Sequence, residues 1–310
     1  MNCLLLIIIT MTTFLFAYPA NAERYAITSG PAPVTNTPTM RDIFGGKNTR
    51  KLKTDHCGQV RELEFIALPG TPFKIIDKFF QTDAVIYQVE NDRYPTSPGV
   101  ALYVDGRFMT ITDTIFEHRP ATPDPEAVLS ALRQSVGAPY VWGGNVQEGI
   151  PKLLDIYYSG TFSLAREKKL ILAGLDCSGL LYAATNGYTP RNTSWLTDFG
   201  DGIYIEGKNA TEIAALLEPL DLIVWQGHVI IVLDKDNVIE SRLKCSAQGH
   251  GGVIITPLLK RLTKIMKTRS PADYIPKGAK SRNTFVVRRW LTGKSQGSEK
   301  NATGKNEIPQ

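Results

Sequence analysis

Short runs of alternating apolar and polar residues dominate the chain from about residue 58 onward. Between 58 and 116, five β-rich runs, VRELEFIAL, FKIIDKF, AVIYQV, VALYV and RFMTI, are separated by PG, DRYPTSPG and DG turns. Strands at this spacing predict a small β-barrel over 58–118. The stretch HRPATPDP carries prolines at 120, 123 and 125 and reads as a linker, 119–125, so a domain boundary falls there. Beyond it the period changes. EAVLSALRQSVG has apolar residues at helical spacing and closes on Gly137, while LDCSGLLYAATNG opens a second helix at Asp176 and stops at Asn186 and Gly187. DLIVW, HVIIVL, VIESR, GVIIT and TFVVRRWL then read as strands broken by polar turns such as DKDN. Helices precede antiparallel-looking strands with no β-α-β alternation, which predicts an α+β domain over 126–291.

The ends of the chain show neither period. Residues 1–22 hold an apolar run closing on Ala20, Asn21 and Ala22, and read as a cleaved secretory signal. The run is shorter than the roughly 20 residues of a membrane span, with an uncleaved N-terminal anchor as the alternative. Residues 23–57, rich in Pro, Thr, Gly and Asn, read as an extended arm, and 292–310 as a disordered polar tail. At 310 residues, 43% hydrophobic and 21% charged, the composition is globular, and a net charge of +5 is too small and scattered to argue for nucleic acid.

Removal of the signal would leave Cys57, Cys177 and Cys245, an odd number for an oxidising compartment. Cys177 sits in the first turn of a predicted helix among Asp176, Ser178 and Gly179, where unsatisfied N–H groups and the helix dipole favour the thiolate. Cys57 and Cys245 then remain as a disulfide pair or two buried thiols. A nucleophilic thiol needs a base. His118 lies in the linker, His250 in a Gly-rich loop and His56 beside Cys57, whereas His228 opens a strand that fixes its direction. Glu240, on the next predicted strand, can accept from the second imidazole nitrogen. No CxxC or HExxH pattern marks a metal site, and no cofactor is expected.

Taken together, GAPYVWGG at 137–144, LDCSGLLY at 175–182, PRNT at 190–193 and HVIIVL at 228–233 resemble the NlpC/p60 family of papain-like cysteine peptidases, which cut peptidoglycan stem peptides. The β-rich segment before them is similar to the bacterial SH3-type domains that accompany many of these enzymes. The resemblance implies a nucleophile-bearing helix packed on an antiparallel sheet, preceded by an SH3-type barrel, in an exported protein of the periplasm or cell envelope. It implies Cys177 as nucleophile, His228 as base and Glu240, where the family more often has His, as the orienting residue. Tyr140 takes the place of a tyrosine that helps the Cys177 N–H form the oxyanion hole. Relatives with this domain arrangement often cleave the bond between D-glutamate and a diamino acid in stems with a free L-Ala. There Asp176 and Ser178 would contact the substrate, the Asp meeting the α-amine, and Trp142 and Thr193 would line the cleft.

Two departures stand out. Residues 146–174 form an insertion, part of which, IPKLLDIYYSG, has helical spacing and reads either as a cap over the cleft or as a surface helix. Leu196 stands where the family often shows Gln. The competing readings are an N-acetylmuramoyl-L-alanine amidase using the same thiol, and a non-catalytic wall-binding protein.

Overall fold

The computed structural model describes residues 24–114, 120–246, 249–276 and 283–291. The signal segment 1–22, His118 and the tail 292–310 lie outside the described residues, as does the side chain of His250.

The N-terminal half contains β1 (Arg24–Thr28), β2 (Ala32–Thr35), α1 (Met40–Ile43), β3 (Phe44–Gly45), β4 (Lys51–Leu52), β5 (Leu63–Ala67), β6 (Pro72–Phe80), β7 (Val85–Glu90), β8 (Leu102–Asp105) and β9 (Met109–Thr112). Seven of these strands form one antiparallel sheet in the order β5-β2-β8-β7-β6-β1-β9. All five strands read from alternation are present. The extended arm expected over 23–57 is not. Its first residues are β1, which lies between β6 and β9, and β2, which lies between β5 and β8. These strands are five and four residues long, too short to show a period, and Pro33 obscures the second. Their inward residues Ala26 and Val34 share one core with Phe65, Phe73, Ile86 and Leu102.

The C-terminal half runs α2 (Pro125–Gln134), β10 (Asn145–Val146), α3 (Lys152–Tyr157), α4 (Leu164–Leu170), β11 (Gly174–Leu175), α5 (Cys177–Ala184), α6 (Thr193–Leu196), β12 (Asp201–Ile203) and α7 (Ala210–Leu216). It continues through β13 (Leu222–Trp225), β14 (His228–Val232), β15 (Asn237–Ser246), β16 (Gly249–Pro257), α8 (Leu258–Met266), β17 (Ser270–Pro271) and β18 (Thr284–Arg289). The main sheet runs β12-β18-β13-β14-β15-β16 in antiparallel pairs, and β17 lies parallel to β18. Alternation along β14 sends Val229 and Ile231 into a cluster with Leu180 and Leu181 of α5 and Leu132 of α2. Ile230 and Val232 enter a second cluster, with Ile213 of α7 and Leu262 of α8. The expected helix starts are capped: the Asp124 carboxylate accepts from Ala127 N–H (2.9 Å) and that of Asp176 from Gly179 N–H (2.6 Å).

The insertion neither caps the cleft nor stands free on the surface. Its Ile150, Leu153, Tyr157, Leu170 and Leu172 are buried in the core of the N-terminal sheet. The Tyr157 hydroxyl donates to the buried Asp105 carboxylate, and Lys152 donates to Arg107 O (2.6 Å). A second tie is covalent. Cys57 and Cys245 form a disulfide with Cα atoms 4.9 Å apart, which settles the choice left open by cysteine counting. His56 brings a ring nitrogen within 4.8 Å of those sulfurs, but the sulfurs are bonded to each other.

Candidate active site

Local sequence fixes where the thiol sits. Asp176 caps α5, so Cys177 occupies the first helical position with its sulfur toward β14. A Cβ at Gly179 would collide with the Gly144 carbonyl, so glycine is what lets α5 approach the loop before β10. Asp176 N–H donates to that same carbonyl (2.9 Å).

Arg191 locks this arrangement and was missed in the sequence, although it lies inside PRNT. It is buried and donates to Asp176 through both terminal nitrogens (3.0 and 2.7 Å), to Ser178 Oγ (2.9 Å) and to Asn145 Oδ1 (3.1 Å). Asn145 in turn accepts from Ile66 N–H (3.0 Å) and donates to Ile66 O (2.8 Å). A continuous polar chain therefore runs from β5 of the N-terminal sheet to the residue before the thiol. Both oxygens of Asp176 are engaged, which leaves less of its charge for a substrate amine than the sequence reading assigned. Ser178 is buried beside it.

The Cys177 thiol is buried, and desolvation, followed by the adjacent Asp176 charge, pushes its pKa up to about 12 against the Val229 N–H, the Arg191 charge and the helix-end Ser178 N–H. The expectation that the helix tip alone favours the thiolate is thus corrected: burial outweighs it. The sulfur meets the start of β14 on both sides of His228, with its S–H directed at Gly227 O (3.9 Å) and the Val229 N–H donating to it. Its hydrogen bonds, that from the Ser178 N–H included, are with backbone rather than with the imidazole. Residue 228 is in phase with Ile230, on the α8 side, while Cys177 belongs with Val229.

The imidazole is firmly held. His228 Nε2 donates to Glu240 Oε2 (2.8 Å), and the ring packs on Trp225 with centroids 5.0 Å apart. Glu240 is fully buried and takes two further bonds from Arg261, Nε to Oε1 (2.6 Å) and Nη2 to Oε2 (2.8 Å), with Arg242 Nε 3.7 Å away. Burial would raise the Glu240 carboxyl, but hydrogen bonds from His228 and Arg261 outweigh it and lower its pKa to about 2. Arg261 lies on α8, a helix the sequence reading did not identify although Leu258, Leu262 and Ile265 carry its period. With Nε2 donating to Glu240, the lone pair of the imidazole sits on Nδ1.

Tyr140 is buried, and desolvation, then the Asp176 and Cys177 charges, raise its phenol well above the ordinary range. Trp142 is half-exposed and its N–H donates to Gln59 Oε1 (2.8 Å) of the N-terminal half. Thr193 Oγ1 accepts from Gly227 N–H (3.0 Å), pinning the loop ahead of His228. Leu196 is fully buried among the α5 contacts, where an amide side chain would lack a partner.

The cysteine stands on the tip of α5 at one face of β14 and the carboxylate-bound imidazole lies on the other, so the predicted nucleophile and base are not brought together as a thiol hydrolase site requires. Neither a protein-family profile nor a curated protein matches the chain. Similar solved structures include an NlpC/p60 family protein from Bacillus cereus, 15% identical over 87% of this chain with a TM-score of 0.32, and the chain spans 64% of that protein's length. RipD of Mycobacterium tuberculosis, described as a non-catalytic NlpC/p60 domain protein adapted to peptidoglycan binding, is 16% identical over 55% of this chain and all of its own, with a TM-score of 0.32. NlpC2 of Trichomonas vaginalis is 15% identical over 86% of this chain and 72% of its own, with a TM-score of 0.29. At these values no residue role passes from them to this chain.

Proposed function

We propose that the chain is an exported cysteine endopeptidase of the NlpC/p60 type, with an SH3-type N-terminal domain, hydrolysing the γ-D-glutamyl-diaminopimelate bond of peptidoglycan stem peptides. The observation that carries this reading is the seating of the Cys177 sulfur against the backbone on either side of a histidine whose Nε2 is bound by buried Glu240. In the resting state the thiol is protonated. On this reading His228, the first residue of β14, leaves its resting place on the α8 face and swings its imidazole to the Cys177 face before a ring nitrogen reaches Sγ. His228 takes the proton, the sulfur attacks the γ-carbonyl, and the Cys177 N–H with the Tyr140 hydroxyl stabilises the oxyanion. Imidazolium then protonates the departing amine, and water attacks the thioester with His228 again as base. Asp176, held by Arg191, serves chiefly to fix the α5 tip and secondarily to attract a free L-Ala amine.

A second reading, a wall-binding protein without catalysis, is favoured by two features that argue against a primed site, a thiol bonded to backbone rather than imidazole and a histidine directed to the other face of the sheet. Mass analysis of purified muropeptides after incubation separates the readings. A new diaminopimelate amine with a free γ-D-glutamyl fragment supports the endopeptidase, and a new L-Ala amine with free muramic lactyl ends supports the amidase. Wall retention without cleavage supports the binding protein.

A further inference from the structure

One loop of the N-terminal half is tied down far more heavily than its place on the surface requires. The Asp55 carboxylate accepts from Cys57 N–H (2.8 Å), Gln59 N–H (2.9 Å) and Arg61 Nε (2.6 Å), so a single side chain folds residues 55–61 around itself. Cys57 is bonded to Cys245 of β15, and Gln59 takes the Trp142 N–H. What these ties hold in place is Arg61. Its guanidinium carbon lies 4.5 Å over the Trp142 ring, and its side chain is 40% exposed. Among the described residues its hydrogen bonds run through Nε alone, which leaves both terminal nitrogens open beside Trp142. Trp142 is two residues from Tyr140, whose phenol feels the charges of Cys177 and Arg61 alike.

The geometry points to Arg61 as a carboxylate-recognition residue beside Trp142, selecting peptides whose acyl-side residue carries a free α-carboxylate. This inference rests on the proposed γ-D-glutamyl specificity and adds a requirement to it. A γ-linked glutamate spends its side-chain carboxyl on the scissile bond and leaves the α-carboxylate charged within a few bonds of the reacting carbon. A guanidinium stacked on one face and anchored at Nε loses little freedom on engaging that group through its terminal nitrogens. Amidation of the α-carboxyl removes the charge and offers an N–H where an acceptor is needed.

The test compares synthetic L-Ala-γ-D-Glu-diaminopimelate with its α-amide, as kcat/KM for the wild type, Arg61→Gln and Arg61→Lys, and as Kd on the Cys177→Ala protein with and without Arg61→Gln. Charge-assisted pairing predicts that the wild type favours the acid by about tenfold to a hundredfold. Arg61→Gln brings the ratio to near one, and Arg61→Lys restores part of it. A purely structural role for Arg61 would slow both peptides together, and that result, or a ratio indifferent to the substitution, overturns the inference. If the wild type cuts neither peptide but Cys177→Ala binds the acid more tightly in an Arg61-dependent way, the peptidase reading fails and the carboxylate site stands. If neither peptide is bound or cut, both fall.

Discussion

Glu240 carries more of the candidate site than its place in VIESR suggested. It is a buried carboxylate shared between His228 and Arg261, and removal of either partner leaves its charge only partly compensated. Arg261→Met is therefore expected to cost about 3 kcal/mol or more, read as a shift of the urea midpoint. Its folded pKa of about 2 lies below the ordinary 4.5, so the stability it contributes is complete above pH ~5 and is lost as pH falls toward 2. Urea titrations at pH 7, 4 and 2.5 should show this loss, worth about 3 kcal/mol, in the wild type and much less of it in Glu240→Gln. Cys177 is expected to react sluggishly with iodoacetamide at pH 7 in the absence of substrate, because burial holds it as the thiol. Alkylation as fast as that of free cysteine would refute the buried-thiol resting state.

Among the elements, those with a long or sharply punctuated pattern were legible in sequence. Asp124 and Asp176 announce α2 and α5 as caps, and HVIIVL and TFVVRRWL announce β14 and β18. What was illegible depends on partners far along the chain. β1 and β2 are too short for alternation to register and are strands only because β5, β6, β8 and β9 hydrogen-bond to them. α7 was passed over although Asn209 and Glu212 form a capping box, and α8, with Arg261, went with it. In the insertion the helical period was readable but its buried face was not, since no local signal says that Leu153 and Tyr157 join a core built from residues before 113. Leu153→Ala is accordingly expected to destabilise the protein by about 2–5 kcal/mol, measured by thermal or urea unfolding. A surface helix would lose far less.

Across the whole molecule, the two halves are fastened by the 146–174 insertion, by Asn145 bridging Ile66 to Arg191, and by the Cys57–Cys245 bond. The loop bearing Trp142 is likewise tied across the halves, its backbone N–H donating to Gln59. The Cys57→Ser, Cys245→Ser double variant is expected to lose about 2–4 kcal/mol of stability. The proposed peptidase activity depends on His228 leaving the α8 face of β14 to act with Cys177 as one chemical unit. The most direct measurement is the rate of muropeptide cleavage by wild type, Cys177→Ala and His228→Ala, each with its melting temperature. The account predicts cleavage by the wild type, none detectable with Cys177→Ala, and a fall of roughly 100-fold or more with His228→Ala in folded protein. A wild-type protein that does not cut, or a folded variant of either residue that cuts at the wild-type rate, would contradict it.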